Sequence, residues 1–184
     1  MSPQAAIGFV WIASLLSWAA AAFWRSPTVK RPAGSEDFVS RLIVTLGAFL
    51  MFWRYNLAPG IGVAGWALLG IQIAGIAFAW WARLHLGRLW SGRIVRKEGH
   101  RIVDTGPYAL VRHPIYTGII TAALATGIAE GRVLALAGAV ILGIGFSIRG
   151  RLEERFLRQE LGEEAYDSYA RRVPMLIPFT GRTR

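Results

Sequence analysis

Five long apolar stretches run along this chain, and nearly all of its charge is gathered into the short stretches between and after them. Residues 1–24 and 55–82 contain no Asp, Glu, Lys or Arg. The pattern predicts apolar helices over about 5–24, 42–58, 60–82, 114–129 and 133–148, the second interrupted by Arg54. A helix that crosses a bilayer needs about 20 apolar residues, and the stretch from Ala5 to Trp24 has that length. No Lys or Arg precedes it, which argues against a cleaved signal peptide. The last two stretches are shorter and are separated only by Glu130-Gly131-Arg132. Each would rise about 24 Å, less than a hydrocarbon core of about 30 Å, so they are expected to recruit flanking residues, thin the bilayer or pack as a tight hairpin. Small residues along them, such as Gly118, Ala122, Gly127 and Gly143, suit close helix packing in lipid.

After residue 148 the composition turns polar, but the charges of S-I-R-G-R-L-E-E-R-F-L-R-Q-E-L-G recur at helical spacing. The fifth helix is therefore expected to continue past the membrane despite Gly150. Arg149 with Glu153 and Glu154 with Arg158 are each four apart, the spacing of ordinary helix-face pairs. The fold predicted is all-α and integral to the membrane. About five transmembrane helices carry a cytoplasmic site built from the 83–113 connection and the C-terminal helical tail. Residues 1–84 supply the first three helices, and 85–184 supply the last two and the tail.

Composition supports the membrane assignment: 54% of the 184 residues are hydrophobic and the mean hydropathy is +0.40. The absence of cysteine excludes disulfides and thiolate metal sites, and three scattered histidines argue against a structural metal. A net charge of +10 would suit nucleic acid, but the basic residues are dispersed at helix ends and no nucleic-acid motif accompanies them. They fit anchoring to anionic headgroups instead. Of the 21 Lys and Arg residues, 19 fall on one side of a five-span topology, leaving Arg54 and Arg132 for the other. The positive-inside rule then places the N-terminus outside and the C-terminus in the cytoplasm, in the inner membrane of a bacterium or the endoplasmic reticulum of a eukaryote. Trp24, Trp53, Trp80, Trp81 and Trp90 fall near the predicted interfaces, where such rings accumulate.

One segment breaks the apolar pattern in a way that points to chemistry. Residues 100–118 read H-R-I-V-D-T-G-P-Y-A-L-V-R-H-P-I-Y-T-G. Gly106-Pro107 marks a turn, and His113-Pro114 marks the boundary before a new helix. Irregular polar backbone beside a bilayer is tolerated where it is buried in protein or lines a cavity, so this segment is expected to build a site.

The segment and the tail together resemble the isoprenylcysteine carboxyl methyltransferase family of integral membrane enzymes and its phospholipid-methyltransferase relatives. The likeness covers roughly residues 85–180. His100, Val103, Gly106, Tyr108, Arg112, His113, Pro114, Tyr116 and Gly118 match a first motif, with Ile102 in place of Leu and Asp104-Thr105 departing slightly. Arg149, Glu153, Glu154, Leu157, Gly162, Tyr166, Tyr169, Arg172, Val173, Pro174 and Pro178 match a second, in order. The resemblance implies methyl transfer from S-adenosylmethionine to a lipophilic acceptor, most simply a carboxylate of the prenylcysteine type. It implies a cofactor pocket formed by His100, Arg101, Ile102, Val103, Tyr108, Arg112, His113, Pro114, Ile115, Tyr116 and Glu153. It makes Arg149 and Glu153 the catalytic pair, with Arg149 on the acceptor's carboxylate and Glu153 on the cofactor's ammonium. The lipid bilayer and the acceptor are the expected partners, without nucleic acid or metal. A phospholipid or small-thiol methyltransferase, a sterol-type reductase and a non-catalytic membrane protein are the alternatives. His85 carries no function from sequence, Arg172 and the tail tyrosines can serve simply to dock the tail, and Arg54 is expected at the outer interface beside Pro59.

Overall fold

The structure is a computed structural model and describes residues 1–23, 27–30, 36–54, 61–97 and 101–180. Trp24 and Pro59 lie outside the described residues, as does His100, the first of the expected pocket residues. Among the described residues five helices form a bundle: α1 (Pro3–Ala21), α2 (Glu36–Phe52), α3 (Ala64–Leu86), α4 (Pro114–Ala129) and α5 (Val133–Leu161). A sixth, α6 (Glu163–Arg172), folds back at the end of α5. A short antiparallel ribbon pairs β1 (Thr28–Lys30) with β2 (Arg96–Lys97). Single 3₁₀ turns occupy Gly87–Leu89 and Gly106–Ala109.

Among the described residues, three helices are long and apolar enough to cross a membrane by length and composition, at Pro3–Ala21, Ala64–Leu89 and Val133–Leu161. The shorter α2 and α4 pack along α5 and α3 respectively. The outward faces are apolar: Phe9, Leu16, Leu46, Phe49, Ile73 and Ile144 are each about half exposed or more. In water such a surface would be a large unpaired apolar patch; in a bilayer it is the solvent-matched face. The protein is an integral membrane protein.

Close packing explains the small residues. A Cβ on Gly75 would come 2.6 Å from the Gly118 carbonyl, and one on Gly118 would fall within contact of the Gly75 carbonyl. Gly47 and Gly138 meet in the same way between α2 and α5. Lipid gives helices no hydrophobic reason to associate, so backbone approach and polar bonds hold them. Trp11 Nε1 on α1 donates to Thr126 Oγ1 on α4 at 2.9 Å, and Gln72 Nε2 on α3 donates to the Ile7 carbonyl at 3.1 Å. Such a bond contributes about 0.6 kcal/mol in a membrane.

Helix α5 does run on through Gly150 to Leu161, as the charge spacing predicts. The second helix departs from its expected range. It begins at Glu36, six residues before the expected start at 42, and ends at Phe52. An acidic Asp37 in a first turn favours the positive end of the helix dipole, which hydropathy does not register. Arg54 lies past the helix end with a left-handed backbone, φ 57°, and is exposed.

Candidate active site

The polar stretch after residue 100 is held from three directions. Gly106 has φ 57°, and any Cβ there would come 2.7 Å from the His85 ring. His85 Nε2 lies 2.9 Å from Thr105 Oγ1, so the end of α3 fixes the turn that presents Tyr108. From the tail, Tyr169 donates its hydroxyl to the Tyr108 carbonyl at 2.8 Å. The backbone N–H groups of Arg112 and His113 donate to the Pro174 and Met175 carbonyls at 2.9 and 3.1 Å. The chain then enters α4 at Pro114, whose fixed φ suits a helix start.

Glu154 is the hub beneath this turn. Arg112 donates to both of its oxygens, at 2.7 and 3.0 Å, and to the carbonyls of Ala170 and Val173. Burial works against the Arg112 charge, but the hydrogen bonds and charge of Glu154 outweigh it, so the guanidinium pKa is raised. His113 Nε2 is 3.0 Å from Glu154 Oε1. An ionised carboxylate can only accept, so His113 donates from that nitrogen. The helix-face pair of Glu154 with Arg158 expected from spacing is not formed; Arg158 donates instead to Asp167 at 2.8 Å. Distant partners on the 112–113 turn outcompete the local one because they are themselves fixed and largely buried.

Glu153 points the other way. Its Oε2 accepts from the Tyr116 hydroxyl at 2.7 Å and lies 3.8 Å from His113 Nδ1. Arg149 Nε donates to that same hydroxyl at 3.1 Å. Among the described residues no direct Arg149–Glu153 ion pair is present, so the pair expected one turn apart is bridged by Tyr116. The Tyr116 ring is clamped between His113, stacked 5.2 Å away with parallel planes, and Phe146 at 4.8 Å. Arg149 is buried and fully engaged: one terminal nitrogen donates to the carboxylate of Asp37 in α2, and the other to the Gly92 carbonyl at 2.8 Å.

A cavity opens above this chain of groups. Arg101, Ile102, Val103, Tyr108, Arg112, His113, Pro114, Ile115, Tyr116 and Glu153 all line it, and the structure thus brings together every described residue expected in the cofactor pocket. Arg149 does not line it. Trp90, Ser91, Arg93, Leu157, Tyr166 and Tyr169 also line it, and the sequence pointed to none of them as a pocket wall. Burial first, then the nearby Glu153 carboxylate, push the Tyr108 phenol up, so it stays neutral. A second, largely apolar cavity of about 670 Å³ lies between α1, α2, α3, α4 and α5, lined by Trp11, Trp18, Val44, Ala48, Ile76, Trp80, Ile119, Leu142 and Phe146 among others, with Arg54 also on its wall. Phe146 and Tyr116 form the wall between the two spaces.

Comparison with known proteins agrees with this architecture. The model of the isoprenylcysteine carboxyl methyltransferase (ICMT) family matches residues 68–159, half of the chain. Protein-S-isoprenylcysteine O-methyltransferase B of Arabidopsis thaliana is 30% identical over 157 residues, covering 74% of this chain and 79% of that protein. The nickel-cobalt-cadmium resistance protein NccN of Alcaligenes xylosoxydans xylosoxydans is 32% identical over 165 residues, covering 83% and 72%. Methanethiol S-methyltransferase 2 of Bradyrhizobium diazoefficiens is 33% identical over 153 residues, covering 74% and 57%. The chain belongs to the isoprenylcysteine carboxyl methyltransferase family. It is a membrane methyltransferase.

Proposed function

We propose that the protein transfers a methyl group from S-adenosylmethionine to the carboxylate of a lipophilic acceptor, at a site facing the cytoplasm. The observation that carries this reading is the Tyr116–Glu153 pair on the polar cavity, with Arg149 bonded to the Tyr116 hydroxyl and Phe146 of the apolar cavity packed on the Tyr116 ring. A soluble cofactor belongs on the polar side and an apolar tail on the other. The polar cavity fits the cofactor in kind: the Glu153 carboxylate remains partly exposed, aromatic faces of Trp90 and Tyr108 stand beside it, and Arg93 and Arg101 add positive charge. Glu153 would take the cofactor's ammonium, and the first N–H groups of α4 its carboxylate. Trp90 and Tyr108 suit a sulfonium or an adenine ring.

When bound, such a donor supplies an electrophilic methyl group: the acceptor oxygen bonds the methyl carbon as the carbon–sulfur bond breaks, with its electron pair left on sulfur. A carboxylate is ionised at neutral pH, so no proton has to be removed. The residues then work by alignment and exclusion of water. Arg149 would hold the acceptor's carboxylate, and Tyr116 would tie that guanidinium to the cofactor's ammonium partner, so both substrates are positioned by one rigid set of side chains. A second reading is a thiol acceptor, and the charge already standing on Arg149 from Asp37 favours it.

Calorimetry of the purified protein with S-adenosylhomocysteine and with NADPH tests the donor; we expect binding of the first alone, and binding of NADPH alone would point to a reductase. Assays with an S-prenylated N-acetylcysteine and with methanethiol separate the acceptors. The orientation rests on the split of basic residues, with the N-terminus outside and the C-terminus in the cytoplasm. Reporter fusions at both termini test it, and two reporters on the same side would refute it.

A further inference from the structure

If Arg149 is to hold an acceptor, something must first let go of it. All three of its nitrogens are engaged: Nε with Tyr116, one terminal nitrogen with Asp37, and the other with the Gly92 carbonyl. The group on the edge that would grip a carboxylate is itself a carboxylate. Asp37 sits in the first turn of α2, mostly buried, and makes with Arg149 the same charge-assisted bond that an acceptor would make. Two carboxylates cannot share that edge at short range without strong repulsion, so an arriving anion and Asp37 compete.

Asp37 also has somewhere to go. Arg41, one turn further along α2, faces its other oxygen at 3.7 Å, beyond hydrogen-bond distance. The Nε of Arg41 is buried and makes no hydrogen bond. A change of side-chain rotamer in Asp37 would close that gap, giving Arg41 the bond it lacks and leaving Arg149 to the newcomer. The exchange keeps every charge paired, which is what makes displacement of a buried ion-pair partner tolerable. Asp37 and Arg41 both lie outside the 68–159 region that the family model matches.

We propose that Asp37 is a specificity-determining residue: it occupies Arg149 as an internal stand-in for the acceptor's carboxylate and passes to Arg41 when an acceptor takes its place. Only an anion can offset the lost Asp37–Arg149 pair, so the exchange admits carboxylate acceptors and turns away neutral lipids of the same shape. The proposal rests on the reading that Arg149 serves a carboxylate acceptor.

Asp37→Asn is the principal variant, because its amide oxygen still accepts from Arg149 and keeps α2 docked. With an S-prenylated N-acetylcysteine as acceptor, we expect a lower KM, kcat near wild type and unchanged affinity for S-adenosylhomocysteine. If Asp37 holds Arg149 for about nine-tenths of the time, the KM falls about tenfold. Arg41→Gln should raise KM in the wild-type background and do nothing in the Asp37→Asn background, a dependence that a merely structural role for Arg41 would not produce. Unchanged or raised KM in Asp37→Asn, with cofactor affinity intact, overturns the proposal. So does loss of turnover on methanethiol alone, which would make Asp37 a base for a thiol. Arg149→Ala distinguishes the two levels. If it still methylates the prenylated carboxylate, the acceptor reading itself fails. If it does not, and Asp37→Asn leaves KM unmoved, only the exchange fails.

Discussion

Two adjacent glutamates one residue apart in sequence do opposite work, and their variants should separate cleanly. Glu154 clasps Arg112 and His113, and through Arg112 the carbonyls of Ala170 and Val173. Glu154→Ala would strand the largely buried Arg112 charge. Breaking such a pair costs about 3 kcal/mol at full burial, and partial exposure brings that down, so thermal unfolding in detergent should fall clearly. Glu153 is more exposed and accepts a hydrogen bond from the Tyr116 hydroxyl. Glu153→Ala should leave the unfolding temperature near wild type while S-adenosylhomocysteine binding weakens. Equal binding in Glu153→Ala and wild type, measured by calorimetry, would remove Glu153 from the cofactor's site. Tyr116→Phe isolates the bridge between the two halves. Its ring contacts with His113 and Phe146 persist, while the hydroxyl linking Arg149 to Glu153 is lost. Bonds to charged groups contribute about 1.5–3 kcal/mol, so turnover should drop about ten- to a hundredfold with little loss of fold.

At the scale of elements, sequence was informative where the pattern is local and silent where a partner is distant. The apolar runs located α1, α3, α4 and α5 to within a few residues, and the spacing of charges carried α5 on through Gly150. The motif between 101 and 118 marked one wall of the polar cavity because its prolines, glycines and aromatics fit neither helix nor strand. Hydropathy cut off the first six residues of α2, because Glu36, Asp37 and Arg41 look like loop charge; the partner that holds Asp37 lies 112 residues away. The Glu154–Arg158 pair failed for the same reason, since a neighbour four residues on is visible in sequence and Arg112 is not. His85 likewise gave no signal, although its ring fills the space left by Gly106. The glycines of α3 and α4 offer a direct test of how the site is carried. Gly118→Val would force the two backbones apart where Gly75 and Gly118 meet, at a cost of about 1–3 kcal/mol. Because Tyr116 lies two residues before Gly118, cofactor affinity should weaken along with stability, and a variant that loses stability but binds S-adenosylhomocysteine normally would show that the cavity is held by the tail alone.

Across the whole molecule, the site sits where a polar space and a lipid-like space meet, and the apolar cavity gives this arrangement a measurable consequence. Its lining runs along α1 from Trp11 to Trp18, a rise of about 10 Å, and reaches Phe146, whose ring packs on Tyr116. On the proposed reading, an acceptor's long apolar tail would lie here and its head beyond the Phe146–Tyr116 contact; a small acceptor has no use for the space. Ala48 is a half-buried small residue on the α2 side of this lining. Ala48→Trp would place a large ring in the cavity without touching Arg149, Tyr116 or Glu153. Burying each methylene contributes about 0.8 kcal/mol, so displacing even three of them from the cavity should raise KM for a long-chain acceptor by more than tenfold. The cofactor's affinity should stay unchanged, as should turnover on an acceptor whose chain is too short to enter. A series of acceptors graded by chain length, assayed on wild type and Ala48→Trp, reads this directly: the two proteins should agree on short chains and diverge as the chain lengthens. A uniform loss at every length would mean that the substitution disturbs the α2–α5 packing instead, and no loss at any length would mean that the tail binds elsewhere.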